Sequence, residues 1–503
     1  MSSAIQQLRE RLAELTDLRH AAGLLEWDQQ TMMPPRGAST RAESLATLEK
    51  ISHDLFISSD TGRLIEAGAS EVNGAASDSD AVCLVRVIQR RWEKARRVPT
   101  ELAADMARAG SLGHDAWLAA RARSDFGSFM PYLRRNLALA RRYVDCFDGF
   151  DCAYDVLLDN FDHGTTTAEL ERLFAELKAT LVPLIATLSE HADRVDASRL
   201  HGHFPVHLQR RLVAEVVQRM GFDRSAWRID DAVHPFATGF GAHDVRITTR
   251  WDETYFPSGL YGAMHECGHG LYEAGVSPTL LRTPLGHAES LALHESQSRL
   301  WENMVGRGRA FCGVLAPRIA ELFGGAAAGL DQETLYRAVN RVQPSYIRVE
   351  ADEATYGLHI VLRFELERAL IDGLLEVKDL PEAWNELSKQ YLGLDVPDDA
   401  LGVLQDVHWA SGLIGYFPTY ALGNLIAGQL WQRAHADLPD LDLRIGAGEL
   451  IELREWLREN VHRHGAKFSS RELLARVVGG PVAVDAFTAY LKQKLGDVYR
   501  LEL

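Results

Sequence analysis

Leu170-Glu171-Arg172-Leu173-Phe174-Ala175-Glu176-Leu177-Lys178-Ala179-Thr180-Leu181 is the stretch that decides the fold class. Its apolar residues Leu170, Leu173, Phe174, Leu177 and Leu181 recur at steps of three and four, which places them on one face of an α-helix. The same period runs through Leu8, Leu12 and Leu15, and through Leu358, Val361, Leu362, Leu366 and Leu370. Alternating strand patterns are scarce. The best, Val245-Arg246-Ile247-Thr248-Thr249 between Gly241 and Pro257, reads as one edge of a small hairpin. Ala67 to Asp80, His201 to Pro205 and Gly324 to Gly329 read as connectors, and no repeat of fixed period is present. The expectation is an all-α protein: one large helical unit over residues 1–503, with an N-terminal lobe up to about residue 200 covering a C-terminal lobe from 201 to 503.

Composition narrows the function classes. Hydrophobic residues make up 46% of the 503 and charged residues 25%, which excludes disorder for the bulk of the chain and supplies ample core. With 54 Lys and Arg against 70 Asp and Glu, the net charge is −16, a balance that repels phosphate backbones and argues against a nucleic-acid partner. The five cysteines are scattered and form no C-x-x-C pair, so neither a disulfide framework nor a thiolate metal site is expected. Met1 to Leu15 lacks the apolar centre of a signal peptide, and no 18 apolar residues run uninterrupted. Together these point to a cytoplasmic protein with no membrane span.

The chemistry is concentrated in Tyr261-Gly262-Ala263-Met264-His265-Glu266-Cys267-Gly268-His269-Gly270-Leu271-Tyr272, which contains H-E-x-x-H. On a helix, residues four apart lie one above the other, so His265 and His269 can reach a single ion. Glu266 is then placed to contact water on that ion rather than the ion itself. Pro257 and Ser258 before the stretch and Gly275 after it are plausible helix ends. Cys267 lies about 200° around the helix from His265 and is a packing residue. A catalytic site needs a third protein ligand. The position six residues past His269 is Gly275, which rules out the pattern with a third histidine there. Glu289 and Glu295, in a second helical stretch from Ala288 to Glu302 that ends near Gly306, are the candidates, and spacing does not choose between them.

Several further motifs stand in order along the chain: Leu24 to Pro35 (LLEWDQQTMMPP), His234-Pro235-Phe236, Asp244 to Thr248, His294-Glu295-Ser296-Gln297, Ile347 to Asp352, and Gly402 to Trp409. With the H-E-x-x-H stretch they resemble, nearly end to end, the carboxypeptidase Taq family of zinc metallocarboxypeptidases.

That resemblance implies an all-helical fold with a deep central cleft, a zinc-peptidase helix of the gluzincin kind and a small β-hairpin nearby. It implies Glu295 as third ligand beside His265 and His269, with Zn²⁺ as the ion and Co²⁺ or Mn²⁺ as substitutes. Glu266 is implied as general base, and the substrates as peptides with a free C-terminal carboxylate, released one residue at a time with broad side-chain tolerance. A homodimer is implied as well. Arg348, among Glu350, Asp352 and Glu353, is either their partner in a solvated helix or the fork that grips the substrate carboxylate, and the resemblance favours the fork. Asp244 and Arg246 either order a hairpin as an ion pair or, with Gln405, Asp406 and His408, close the far end of the substrate groove. Tyr416 and Tyr420 are candidate oxyanion donors, Tyr420 the preferred one; His234 and His408 are further possible donors.

Overall fold

The structure, a computed structural model, describes residues 3–503. Met1 and Ser2 of the N-terminal segment lie outside the described residues. Helices fill residues 4–220 with short breaks, three short strands follow between 227 and 249, and helices return from Pro257 to Tyr499.

The first helix, Ala4–Thr31, starts where the Ser3 hydroxyl accepts from the Gln6 amide. Its Leu8, Leu12 and Leu15 are buried as their spacing predicts. With Phe56, Ile65, Leu84, Val85 and Ile88 they form an apolar cluster that also takes in Val276, Leu280, Leu285 and Ala466. The N-terminal helices therefore cover the end of the H-E-x-x-H helix and the loop after it. The helix Thr167–Glu190 turns Leu170, Leu173, Phe174, Leu177 and Leu181 into the main core. There it meets Glu353–Ile371, which is buried on nearly every face and starts on an Asp352 cap. Each fully buried leucine stabilises the fold by about 1.5–3 kcal/mol relative to exposure.

The sheet departs from the expectation. Val245–Thr249 (β3) is the middle strand of three, not an edge: it pairs in parallel with Trp227–Asp231 (β1) and antiparallel with Ala237–Gly239 (β2). Burial gives the reason, since Val245, Ile247, Thr248 and Thr249 are all enclosed, as a central strand under the H-E-x-x-H helix requires. The Ala67–Asp80 connector is shorter than its composition suggests, because Ser59–Glu71 continues as helix before the break. One stretch, Arg309–Ala327, is long and apolar enough by composition to cross a membrane, but Phe311, Leu315, Ile319 and Phe323 from it pack into the main core.

Candidate metal centre and anion anchor

The H-E-x-x-H segment lies on the helix Pro257–Gly275, the ends expected from Pro257 and Gly275. Proline at the first position costs no hydrogen bond, since that N–H has no helical partner. The second helix, Leu291–Arg299, starts on the Ser290 cap and continues as a wider π-helical turn to Gly306. The two helices touch through Gly268. A Cβ there would stand 2.7 Å from the Gln297 carbonyl oxygen and 2.8 Å from the Ser298 Cα, both backbone atoms that cannot swing aside. This contact brings the histidines to Glu295. Gly268→Ala should therefore push the helices apart, lowering stability by about 1–3 kcal/mol and weakening metal binding at least about tenfold. Denaturant unfolding and chelator competition read the two effects, and unchanged affinity would contradict this reading of the contact.

His265 Nε2 stands 3.6 Å and His269 Nε2 3.5 Å from Glu295 Oε2, and the ligand atoms of these three residues lie within 4.8 Å of one another. Two ligands at about 2.1 Å in a tetrahedral shell are about 3.4 Å apart, so the N-to-O separations match those around a small dication. The donor set of two imidazoles and one carboxylate also fits. His265 Nδ1 faces Glu302 Oε2 at 2.9 Å, which puts its hydrogen there and its Nε2 lone pair toward Glu295. Burial opposes a charge on His265, yet Glu295, Glu302 and Glu266 raise its pKa above the ordinary value, so the pocket itself favours a positive charge at this point. Burial and His294 lower His269 to about 4, which leaves it neutral and able to ligate. Glu295, despite burial, is held well below the usual carboxylate range by Arg299 and the two histidines. Arg299 Nε donates to Glu295 Oε1 at 2.6 Å and Ser298 Oγ to Oε2 at 3.1 Å, so the carboxylate of the group is fixed from behind. Glu266 is buried, and burial pushes its carboxyl up to about 7.

The structure separates the two glutamate candidates. Glu289 is bound by Arg90 and, at 2.7 Å, by Arg91, and belongs to no group with the histidines. Cys267 is fully buried and packs in the main core.

Arg348 is buried, and its partner is not the local acids but Asp406, which accepts from Nε at 3.0 Å and from one Nη at 2.8 Å. Its other Nη donates to the Tyr356 hydroxyl at 2.8 Å, and its backbone N–H to Gln405 Oε1 at 2.8 Å. Arg363, fully buried, takes the second Asp406 oxygen at 2.5 and 2.7 Å. Two guanidiniums against one carboxylate leave a net charge of +1. His359 adds nothing to it, since burial holds that ring well below the ordinary imidazole pKa. Burial likewise lowers His408 to about 4; its Nε2 lies 3.2 Å from the Tyr420 hydroxyl. The Arg348 guanidinium lies 4.8 Å from the Tyr420 ring centre, and Tyr416 stands 5.4 Å from that ring. Arg348, Gln405, Asp406, His408, Tyr416 and Tyr420 thus form one group. Arg246 has different partners: both Asp244 oxygens, at 2.8 and 3.0 Å, and the rings of Trp27 and Phe240. His234 sits in the loop between β1 and β2.

Sequence reasoning places Arg299 and Glu302 on the helical face of Glu295 but gives them no role in holding these groups, and it misses Tyr356 and Arg363 altogether. Arg299 and Glu302 stand four and seven positions after Glu295, a spacing that signals one helical face. Tyr356 and Arg363 gave no such signal, because they lie in a helix whose leucine pattern marks it simply as core.

A family model described as carboxypeptidase Taq (M32) metallopeptidase matches residues 7–495. The chain is 41% identical to thermostable carboxypeptidase 1 of Thermus thermophilus, over 99% of both chains. It is 35% identical to carboxypeptidase 1 of Bacillus subtilis, over 97% of both. Among solved structures, the M32 carboxypeptidase from Deinococcus radiodurans R1 superposes with a TM-score of 0.96 at 38% identity, covering 99% of this chain and all of that one. A helical fold with one small sheet, a two-histidine, one-glutamate group and these matches agree, and the chain belongs to the carboxypeptidase Taq (M32) family of metallocarboxypeptidases, peptide hydrolases that use a divalent metal.

Proposed function

We propose that the enzyme removes residues one at a time from the free carboxyl end of peptides, with broad side-chain tolerance. In this reading His265, His269 and Glu295 hold one dication, Zn²⁺ by the chemistry of the donor set, with Co²⁺ or Mn²⁺ able to replace it. The observation that carries the reading is the position of Tyr356. Its ring lies 4.1 Å from the Arg299 guanidinium, which fixes Glu295, and its hydroxyl holds Arg348. A cation site and an anion anchor therefore share one side chain, which an exopeptidase acting at a carboxylate terminus needs.

Arg348 is suited to the anchor by hydrogen count. Of its five N–H groups, one on each nitrogen is spent on Asp406 or Tyr356, leaving one on each Nη. Those two form the end of the fork that accepts a carboxylate in bidentate fashion, and the net +1 of the Arg348–Asp406–Arg363 group supplies the attraction. When bound, the metal supplies Lewis acidity, polarising the scissile carbonyl and acidifying water. Glu266 takes the proton from the attacking water and returns it to the leaving amine. Tyr420 keeps its proton because burial raises its pKa well above the phenol value. With a hydrogen on Nε2, His408 donates to the Tyr420 oxygen and leaves the phenol hydrogen free for the developing oxyanion. Arg246 as a boundary of the substrate groove rests on the family resemblance. So does a homodimer, while five free thiols support action in a reducing cytoplasm.

Incubating a mid-length peptide and reading products by mass spectrometry tests the proposal. A stepwise ladder losing one C-terminal residue at a time is expected. Internal fragments would show an endo-acting oligopeptidase instead.

A further inference from the structure

The four-residue step from His265 to His269 repeats once more and lands on Glu273, still within the same helix. Glu273 is largely enclosed and bridges two histidines that come from outside that helix. Its Oε1 lies 2.8 Å from His294 Nε2 and its Oε2 2.9 Å from His287 Nδ1. The other nitrogen of His294, Nδ1, lies against His269 Nδ1 at 2.5 Å. The carboxylate is also pinned from the sheet side: at Gly239 of β2, a Cβ would stand 2.8 Å from the Glu273 Cβ, so only a bare backbone fits there.

These contacts impose a direction. An ionised carboxylate only accepts, so His294 must carry its hydrogen on Nε2. With that hydrogen on Nε2, the His294 Nδ1 is the acceptor of the Nδ1–Nδ1 contact, and His269 places its own hydrogen on Nδ1. The lone pair of His269 is thereby left on Nε2, the atom 3.5 Å from Glu295 Oε2. His265 reaches the same state by a separate and shorter route, from Glu302 directly. We propose that Glu273 is a positioning residue for the metal centre: acting through His294, it sets the tautomer and ring orientation of His269. This rests on the reading of His265, His269 and Glu295 as the metal ligands. Glu273 stands outside the group of His265, His269 and Glu295, and its carboxylate meets His294 and His287. Its role is that of the outer carboxylates which orient ligating histidines, whose loss typically weakens metal binding by about 10–100-fold.

The Co²⁺-loaded full-length enzyme tests this by proton NMR. The paramagnetic ion shifts the ring N–H signals of each ligating histidine away from the bulk of the spectrum. The wild-type protein should show two shifted signals that vanish in D₂O, one for His265 and one for His269. In Glu273→Ala the His269 signal should disappear through rapid exchange while the His265 signal, held by Glu302, persists, and chelator competition should show Co²⁺ affinity lowered by about 10–100-fold. Glu273→Gln, whose amide oxygen can still accept from His294, should restore the second signal. Should the alanine variant not fold, Glu273→Met, of similar length and without an oxygen, takes its place. Retention of both signals with unchanged affinity in the variant lacking an acceptor would overturn the proposal. Absence of any shifted exchangeable pair in the wild-type protein would instead overturn the ligand assignment beneath it.

Discussion

Glu266→Gln should bind its metal as tightly as the parent enzyme and hydrolyse peptides about 10²–10⁴-fold more slowly. The reasoning starts from position. Glu266 follows His265 directly, is buried, and is absent from the three-residue ligand group. The substitution keeps the size and shape of the side chain while removing its basicity, so loss of turnover without loss of metal isolates proton transfer. Burial pushes the Glu266 carboxyl up to about 7, high enough for it to return a proton to a leaving amine; a dication on the neighbouring ligands would shift the balance back toward the carboxylate that accepts one. Kinetics on a free-ended peptide, with metal content measured on the same preparation, decide the matter. Survival of more than about a tenth of the activity would discard Glu266 as the base, because a positioned general base contributes far more than that.

Arg348→Ala should lower kcat/KM on free-acid peptides about 10²-fold or more, and far less on the same peptides amidated at the C-terminus. The two remaining N–H groups of Arg348 would each make a charge-assisted bond to a terminal carboxylate, worth about 1.5–3 kcal/mol apiece. An amide offers no such charge. The local network gives a useful control, since Asp406 keeps Arg363 when Arg348 is removed and is not left as an unpaired buried charge. Equal losses on acid and amide substrates would assign Arg348 a structural role. Arg348→Lys should recover only part of the difference, because an ammonium keeps the charge and loses the fork.

The helical fold was legible wherever one face alone is apolar. Leu8, Leu12 and Leu15, and Leu170 through Leu181, are buried at the positions their period marks. The sheet was only partly legible: Val245–Thr249 announces itself as a strand, but which neighbours flank it depends on contacts remote in sequence. Trp227–Asp231, with two acids among five residues, carries little strand signal of its own. At the site, spacing alone found His265 and His269 and stopped at two glutamates. Three-dimensional pairing separated them, giving Glu289 to two arginines and Glu295 to the histidines. The Arg348–Asp406–Arg363 group could not be read from spacing, since its members are 15 to 58 residues apart and meet only through folding.

Anomalous diffraction at the zinc absorption edge, from crystals loaded with one equivalent of Zn²⁺, tests the central claim most directly. The expected result is one strong peak about 2 Å from His265 Nε2, His269 Nε2 and a Glu295 oxygen, with no fourth protein ligand. A peak elsewhere, a fourth protein atom in the coordination shell, or no peak in crystals of active protein would contradict it.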